Sequence, residues 1–282
     1  MKIRYQKLIL ILCWIAIPML LVGCKKDAND DFVLVKGGTF LNQYSAAENI
    51  DSTVEDFYIS RFEVTQKEWT EVMGNNPSQF IGENRPVEMI SWYDCIEYCN
   101  KRSELEGLSL YYNIDKNVID ATNQSEYDTA KWTVTTNESS NGYRLPTAVE
   151  WEYAASGGQL SKGYVYSGSD DINDVGWYWK NSGKEILTGD WEWSRLESNQ
   201  NKTHNVGEKA ANELGLYDMS GNVREWCFDW YVGDDVPSNS TKVWHGGGWI
   251  GDSKACDITY CGKFEANGYG ADHGFRICKN VS

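Results

Sequence analysis

The chain has 282 residues, with 26 Lys plus Arg against 41 Asp plus Glu and a formal net charge of −15. Nucleic-acid binding needs a basic face, so this balance excludes nucleic acid as a partner class. Apolar residues make up 41% of the chain, which supports a packed core rather than wholesale disorder. Thirteen Trp, 17 Tyr and 26 Gly against five Pro point to a loop-rich fold packed on aromatic rings, not to a helix bundle.

Lys2, Arg4 and Lys7 precede an apolar run from Leu8 to Val22, the pattern of an export signal and too short to span a bilayer comfortably. The run ends in Leu21-Val22-Gly23-Cys24, which resembles a bacterial lipobox. The expected organisation is a signal peptide over 1–23, a lipid on Cys24, a polar tether over 24–31 and one domain over 32–282. The expected address is the bacterial cell envelope, at the outer membrane, with the lipid as the membrane contact. Export implies an oxidising compartment, and Cys95, Cys99, Cys227, Cys256, Cys261 and Cys278 remain as disulfide candidates whose pairing the sequence leaves open.

Phe32-Val33-Leu34-Val35 reads as a strand closed by Gly37-Gly38, and Asp56 to Val64 as a second strand. Thr65 with Glu68 forms a capping box that opens a helix ending at Gly74-Asn75-Asn76-Pro77. Ser91 opens the clearest helix. Trp92, Cys95, Ile96 and Cys99 fall on one face of it, and Gly107 suits its C-terminal cap. Short β-like pieces, 111–114 and 131–134, mark the stretch 108–141 as an excursion. Thr147 with Glu150 caps a third helix that ends at Ser156-Gly157-Gly158. Beyond Gly157 no long helical period recurs. The fold class is α+β, with helices early and irregular β structure later.

Several stretches, taken in order, resemble the formylglycine-generating enzyme (sulfatase-modifying factor) family: Val35-Lys36-Gly37-Gly38-Thr39-Phe40, Phe62-Glu63-Val64-Thr65, Pro86-Val87 with Ser91-Trp92-Tyr93-Asp94, Gly142 to Thr147, Glu150 to Ala154, Asn212 to Trp226, Gly246 to Trp249, and Gly274-Phe275-Arg276. The resemblance covers nearly all of the chain after the export signal. It implies the family's variant of the C-type lectin fold, poor in regular secondary structure.

Active members of that family oxidise a substrate cysteine to formylglycine with a copper site built on two cysteines. A soft metal of this kind takes paired thiolates. The resemblance places the second of these cysteines at Cys256 and the first at Gly251, which has no side chain. Loss of the pair argues against copper. It leaves Cys256 either as a lone catalytic thiol or as a disulfide partner, with Cys227 favoured. Cys278 is expected to close on Cys99 or Cys95, as in relatives. The resemblance also implies a Ca²⁺ site with side-chain ligands at Asp218 and Glu225 and backbone carbonyls at Gly221 and Val223, an oxygen set that suits a hard cation.

His204, His245 and His273 are too scattered for an iron site. Arg144 and Arg276, inside motif cores, read as structural ion pairs. Trp177, Trp179, Trp191 and Trp193 cluster in a loop region, where rings either pack or stack on a sugar or peptide. The leading expectation is an envelope-anchored binding or scaffold module without oxidase activity, whose partner is an envelope protein or peptide. The alternatives are an oxidase that uses Cys256, or a glycan-binding lectin-like module.

Overall fold

The structure, a computed structural model, describes residues 31–42, 50–233 and 235–281. The expected signal peptide, the lipidation site Cys24 and the tether up to residue 30 lie outside the described residues. Asp31–Ser282 forms one compact unit.

Strands β1 (Phe32–Val35), β2 (Gly38–Asn42), β3 (Ile50–Val54) and β4 (Phe57–Ser60) precede helices α1 (Gln66–Met73) and α2 (Trp92–Leu105). Strands β5 (Tyr112–Ile119), β6 (Trp132–Thr136) and β7 (Tyr143–Arg144) follow, then helices α3 (Ala148–Ala155), α4 (Ile172–Val175) and α5 (Trp193–Ser198). Strands β8 (Arg224–Trp230), β9 (Lys242–His245), β10 (Gly262–Phe264), β11 (His273–Gly274) and β12 (Cys278–Asn280) complete the chain.

Two four-stranded sheets frame the core. The first runs β1-β4-β12-β7, so the last strand of the chain is inserted beside one of the first. Cys278 lies opposite Ile59 on one side and Arg144 on the other. The second runs β10-β9-β8-β11, with β8 antiparallel to β9 and parallel to β11. Strands β2 and β3 form one hairpin and β5 and β6 another. The second hairpin is what the excursion over 108–141 becomes.

The helix starts are those the capping boxes predict. Thr65, Ser91 and Thr147 each accept a hydrogen bond from the backbone N–H three residues on, and the carboxylates of Glu68, Asp94 and Glu150 each accept one from the cap residue's backbone N–H. Gly74 at φ 82° and Gly107 at φ 71° end α1 and α2 in the left-handed region. Trp92, Cys95, Ile96 and Cys99 form the buried face of α2. Against it Trp69 of α1 stacks on Tyr98 at 5.4 Å, and Phe275 meets Tyr98 edge-on at 5.3 Å. Offset and edge-on ring pairs of this kind add to plain area burial.

Candidate functional site

The segment Asn212–Trp226 carries the most specific motif, and it wraps around the loop that holds Trp177. Asn222 N–H donates to Trp177 O at 2.8 Å, and Gly221 N–H to Gly246 O at 2.6 Å. Gly221, at φ 93°, has no room for a side chain, since a Cβ there would lie 2.3 Å from Trp177 O.

Glu225, in β8, is wholly buried and fully engaged. Arg276 grips it through Nε to Oε2 at 2.6 Å and Nη2 to Oε1 at 2.7 Å. Trp151 of α3 donates its Nε1–H to Oε2 at 2.7 Å. Arg276 also donates to the carbonyls of Ser60 and Tyr217. It is thus a buried structural ion pair that ties both sheets to the motif. Arg144 likewise pairs bidentately with Glu150, both contacts at 2.7 Å.

Asp218 lies close by, at φ 57°. Its Oδ2 accepts from Gly207 N–H at 2.7 Å, and its buried Oδ1 has no donor. Glu63, which lies in the Phe62-Glu63-Val64-Thr65 motif, is buried beside this pair. Its Oε1 accepts from Val223 N–H at 3.1 Å and its Oε2 from Asn222 Nδ2 at 2.6 Å. The signal that could have found it is a carboxylate set between Phe62 and Val64. Burial, then the charges of Asp218 and Glu225, pushes Glu63 well up, and burial raises Asp218 to about 7.

Three buried carboxyls therefore face one guanidinium, a charge balance that calls for protons or a cation. Of the Ca²⁺ ligands implied by the resemblance, Asp218 has a buried oxygen to offer, whereas both oxygens of Glu225 already hold donors. Of these two carboxylates, only Asp218 keeps an oxygen without a hydrogen-bond donor.

Main chain crowds the position that the resemblance matches to the first catalytic cysteine. Gly246, Gly247 and Gly248 have φ of 88°, 80° and 70° in succession. This turn presses its backbone onto the loop 251–256. Gly251 N–H donates to Gly248 O at 3.1 Å, and Trp179 N–H donates to Gly251 O at 3.1 Å. A Cβ on Gly251 would lie 2.3 Å from Gly247 O, so the space for a thiol at this position is filled by main chain. Cys256 is completely buried with Ile172, Tyr178, Trp179, Leu196 and Trp249. Burial raises its thiol well above the usual range, the reverse of what a nucleophile or metal ligand needs.

The disulfide expectations are corrected here. Cys95, Cys99, Cys227, Cys256 and Cys278 are buried free thiols, and Cys261 is buried as well. The favoured pair is split: Cys227 packs with Cys261 and Cys278 in one core cluster, and Cys256 packs in another. Cys95 and Cys99 belong to a third, on α2. Each thiol is used as a small apolar side chain.

The three His are separately engaged. His204 stacks on Trp177 at 3.8 Å and contacts Ser182 O at 2.9 Å. His245 stacks on Trp151 at 4.6 Å, contacts Tyr260 O, and is lowered by burial to about 3. His273 contacts Asp272.

The four loop Trp divide. Trp177 and Trp179 pack inward, whereas Trp191 and Trp193 are 45% and 48% exposed. Their rings lie 6.4 Å apart, Trp193 lies 6.3 Å from Trp249, and Trp191 donates its Nε1–H to Ile250 O at 3.0 Å. An exposed aromatic ledge thus borders the crowded position at Gly251.

A family model described as the sulfatase-modifying factor enzyme 1-like domain matches residues 20–281. The chain belongs to this family. Chaperone protein LppX of Paenibacillus barcinonensis is 53% identical over 264 residues, which cover 92% of this chain and 94% of that protein. A formylglycine-generating enzyme of Streptomyces coelicolor is 31% identical over 133 residues, covering 44% of this chain and 40% of the enzyme. Treponema denticola variable protein 1 superposes with a TM-score of 0.72 at 30% identity, over 89% of this chain and 95% of that one. The fold is the family's variant of the C-type lectin fold, as the sequence motifs imply.

Proposed function

We propose that the chain is a non-enzymatic binding module of chaperone type, exported and held at the bacterial envelope by a lipid on Cys24. The observation that carries this reading is the filled space at Gly251. With Gly247 O where a first thiol would stand, and Cys256 buried and undissociated, the site cannot assemble the paired thiolates of a copper oxidase. The similarity to a protein named a chaperone, over almost the whole of both chains, supports a binding role. The Trp191–Trp193 ledge supplies the contact surface, because exposed Trp faces bind apolar segments of an unfolded client without sequence demands. Support for the envelope address is the leader of the sequence, ending at Cys24. Among the described residues no helix is long and apolar enough to cross a membrane.

A refolding assay tests it. When reduced, unfolded lysozyme is diluted from denaturant, the intact domain at equimolar ratio is expected to suppress light scattering. The double variant Trp191→Ser, Trp193→Ser is expected to lose more than half of that suppression. No suppression by the intact domain would overturn the chaperone reading. Ca²⁺-dependent retention on immobilised glycans would favour the lectin-like alternative instead.

A further inference from the structure

A cavity lies between α2, the β5–β6 hairpin and the β8–β9 pair. It measures about 250 Å³ and is walled by Trp92, Trp132, Phe228 and Trp230. Lys242 and Asp229 also line it. This volume sits below the ~300–1,000 Å³ of drug-sized pockets and limits a ligand to a small molecule.

Lys242 opens β9 and pairs in register with Trp230 of β8. Its side chain is buried, and Nζ stands 4.0 Å from the Trp92 ring centroid and 3.7 Å from that of Trp230. The amine donates to one carbonyl, Phe228 O, at 3.0 Å. The carboxylates that face it are Asp229, next to its partner strand residue, and Asp120 and Asp128 from the loop beyond β5. Asp128 is already taken by Tyr93 Oη–H and Asn123 Nδ2–H, both at 2.7 Å. Burial outweighs the pull of these charges and lowers Lys242 to about 7. A desolvated amine in an apolar pocket is the activated form of a lysine nucleophile. Asp229 lines the same cavity; burial raises its carboxyl, while its Oδ2 accepts from Ala148 N–H at 2.6 Å.

We propose that this cavity captures small carbonyl compounds, aldehydes bearing a flat ring or a short apolar chain, as an imine on Lys242 Nζ. The amine lone pair adds to the carbonyl carbon to give a carbinolamine. Its hydroxyl leaves as water with a proton from Asp229, and the Asp229 carboxylate then takes the remaining N–H proton. One amine and one aldehyde thus become one imine and one water, with no change of oxidation state.

Reductive trapping tests the assignment. The domain is incubated with benzaldehyde and cyanoborohydride across pH 6–10, and N-benzyl-lysine is mapped by peptide mass spectrometry. Near pH 7 the adduct is expected on Lys242 at least about tenfold faster than on any other lysine, because surface amines with pKa values near ~10.4 are almost wholly protonated there. Labelling at Lys242 should rise through about pH 7 and that of the others through about pH 10. Asp229→Asn is expected to slow labelling at Lys242 about tenfold or more while leaving the surface lysines unchanged. In guanidinium the preference should vanish. Adducts on surface lysines with none on Lys242, or a Lys242 profile that follows theirs, would overturn the proposal.

Discussion

Asp218 and Glu225 stand in one motif, yet the folded chain gives them opposite settings. Glu225 is neutralised by Arg276 and held by Trp151, whereas Asp218 has one satisfied and one bare oxygen, both out of water. The Asp218 carboxyl, at about 7 in the folded state, lies far above its unfolded value near ~3.9. Between those values the native state binds the extra proton, so stability falls as pH rises, and the penalty is fully present above about pH 7. Glu63 and Glu88, raised by burial as well, add to the same trend. In EDTA, the domain is therefore expected to melt at a higher temperature at pH 5.5 than at pH 8. Asp218→Asn should flatten part of that slope, since Asn tolerates φ 57° and can still accept from Gly207 N–H. Excess Ca²⁺ at pH 8 is expected to raise the melting temperature of the parent and not of this variant. An unchanged slope in Asp218→Asn would sink the assignment of the titration to Asp218.

At the scale of elements, much was legible because local chemistry decides it. The three helix starts follow from side-chain-to-backbone capping within three residues, and the buried stripe of α2 follows from its period. The ion pairs of Arg144 and Arg276 could be anticipated as a class, but not their partners. Arg276 to Glu225 spans half the C-terminal part of the chain and depends on β11 and β12 folding back on β8 and β4. The disulfide expectation failed for a related reason. Cysteine spacing carries no record of which core cluster each thiol enters, and burial as an apolar group competes with pairing. Lys242 was also missed: every residue of β9 is buried, so the period of two that marks an outward-facing lysine is lost. Arg276 bridges elements that have few regular hydrogen bonds among them. Arg276→Met leaves Glu225 buried without a cation and is expected to cost about 3–5 kcal/mol in urea denaturation. A cost below about 1 kcal/mol would show that Glu225 is neutralised by some other group.

At the scale of the molecule, the family fold is retained from β1 to β12 while main chain fills the space where a side chain on Gly251 would stand. The Gly246–Gly248 turn, Gly251 and the buried Cys256 form one packed unit, and the aromatic ledge beside it faces solvent. Specificity of this kind lives in sites carried on a fold rather than in the fold itself. The most direct measurement is turnover. The domain is loaded with Cu(I) under oxygen and given a cysteine-containing peptide, and formylglycine is sought by mass spectrometry, with an active formylglycine-generating enzyme run in parallel. No conversion by this chain is expected under conditions in which the enzyme converts the peptide. Formylglycine produced by this chain, and lost in Cys256→Ala, would contradict it.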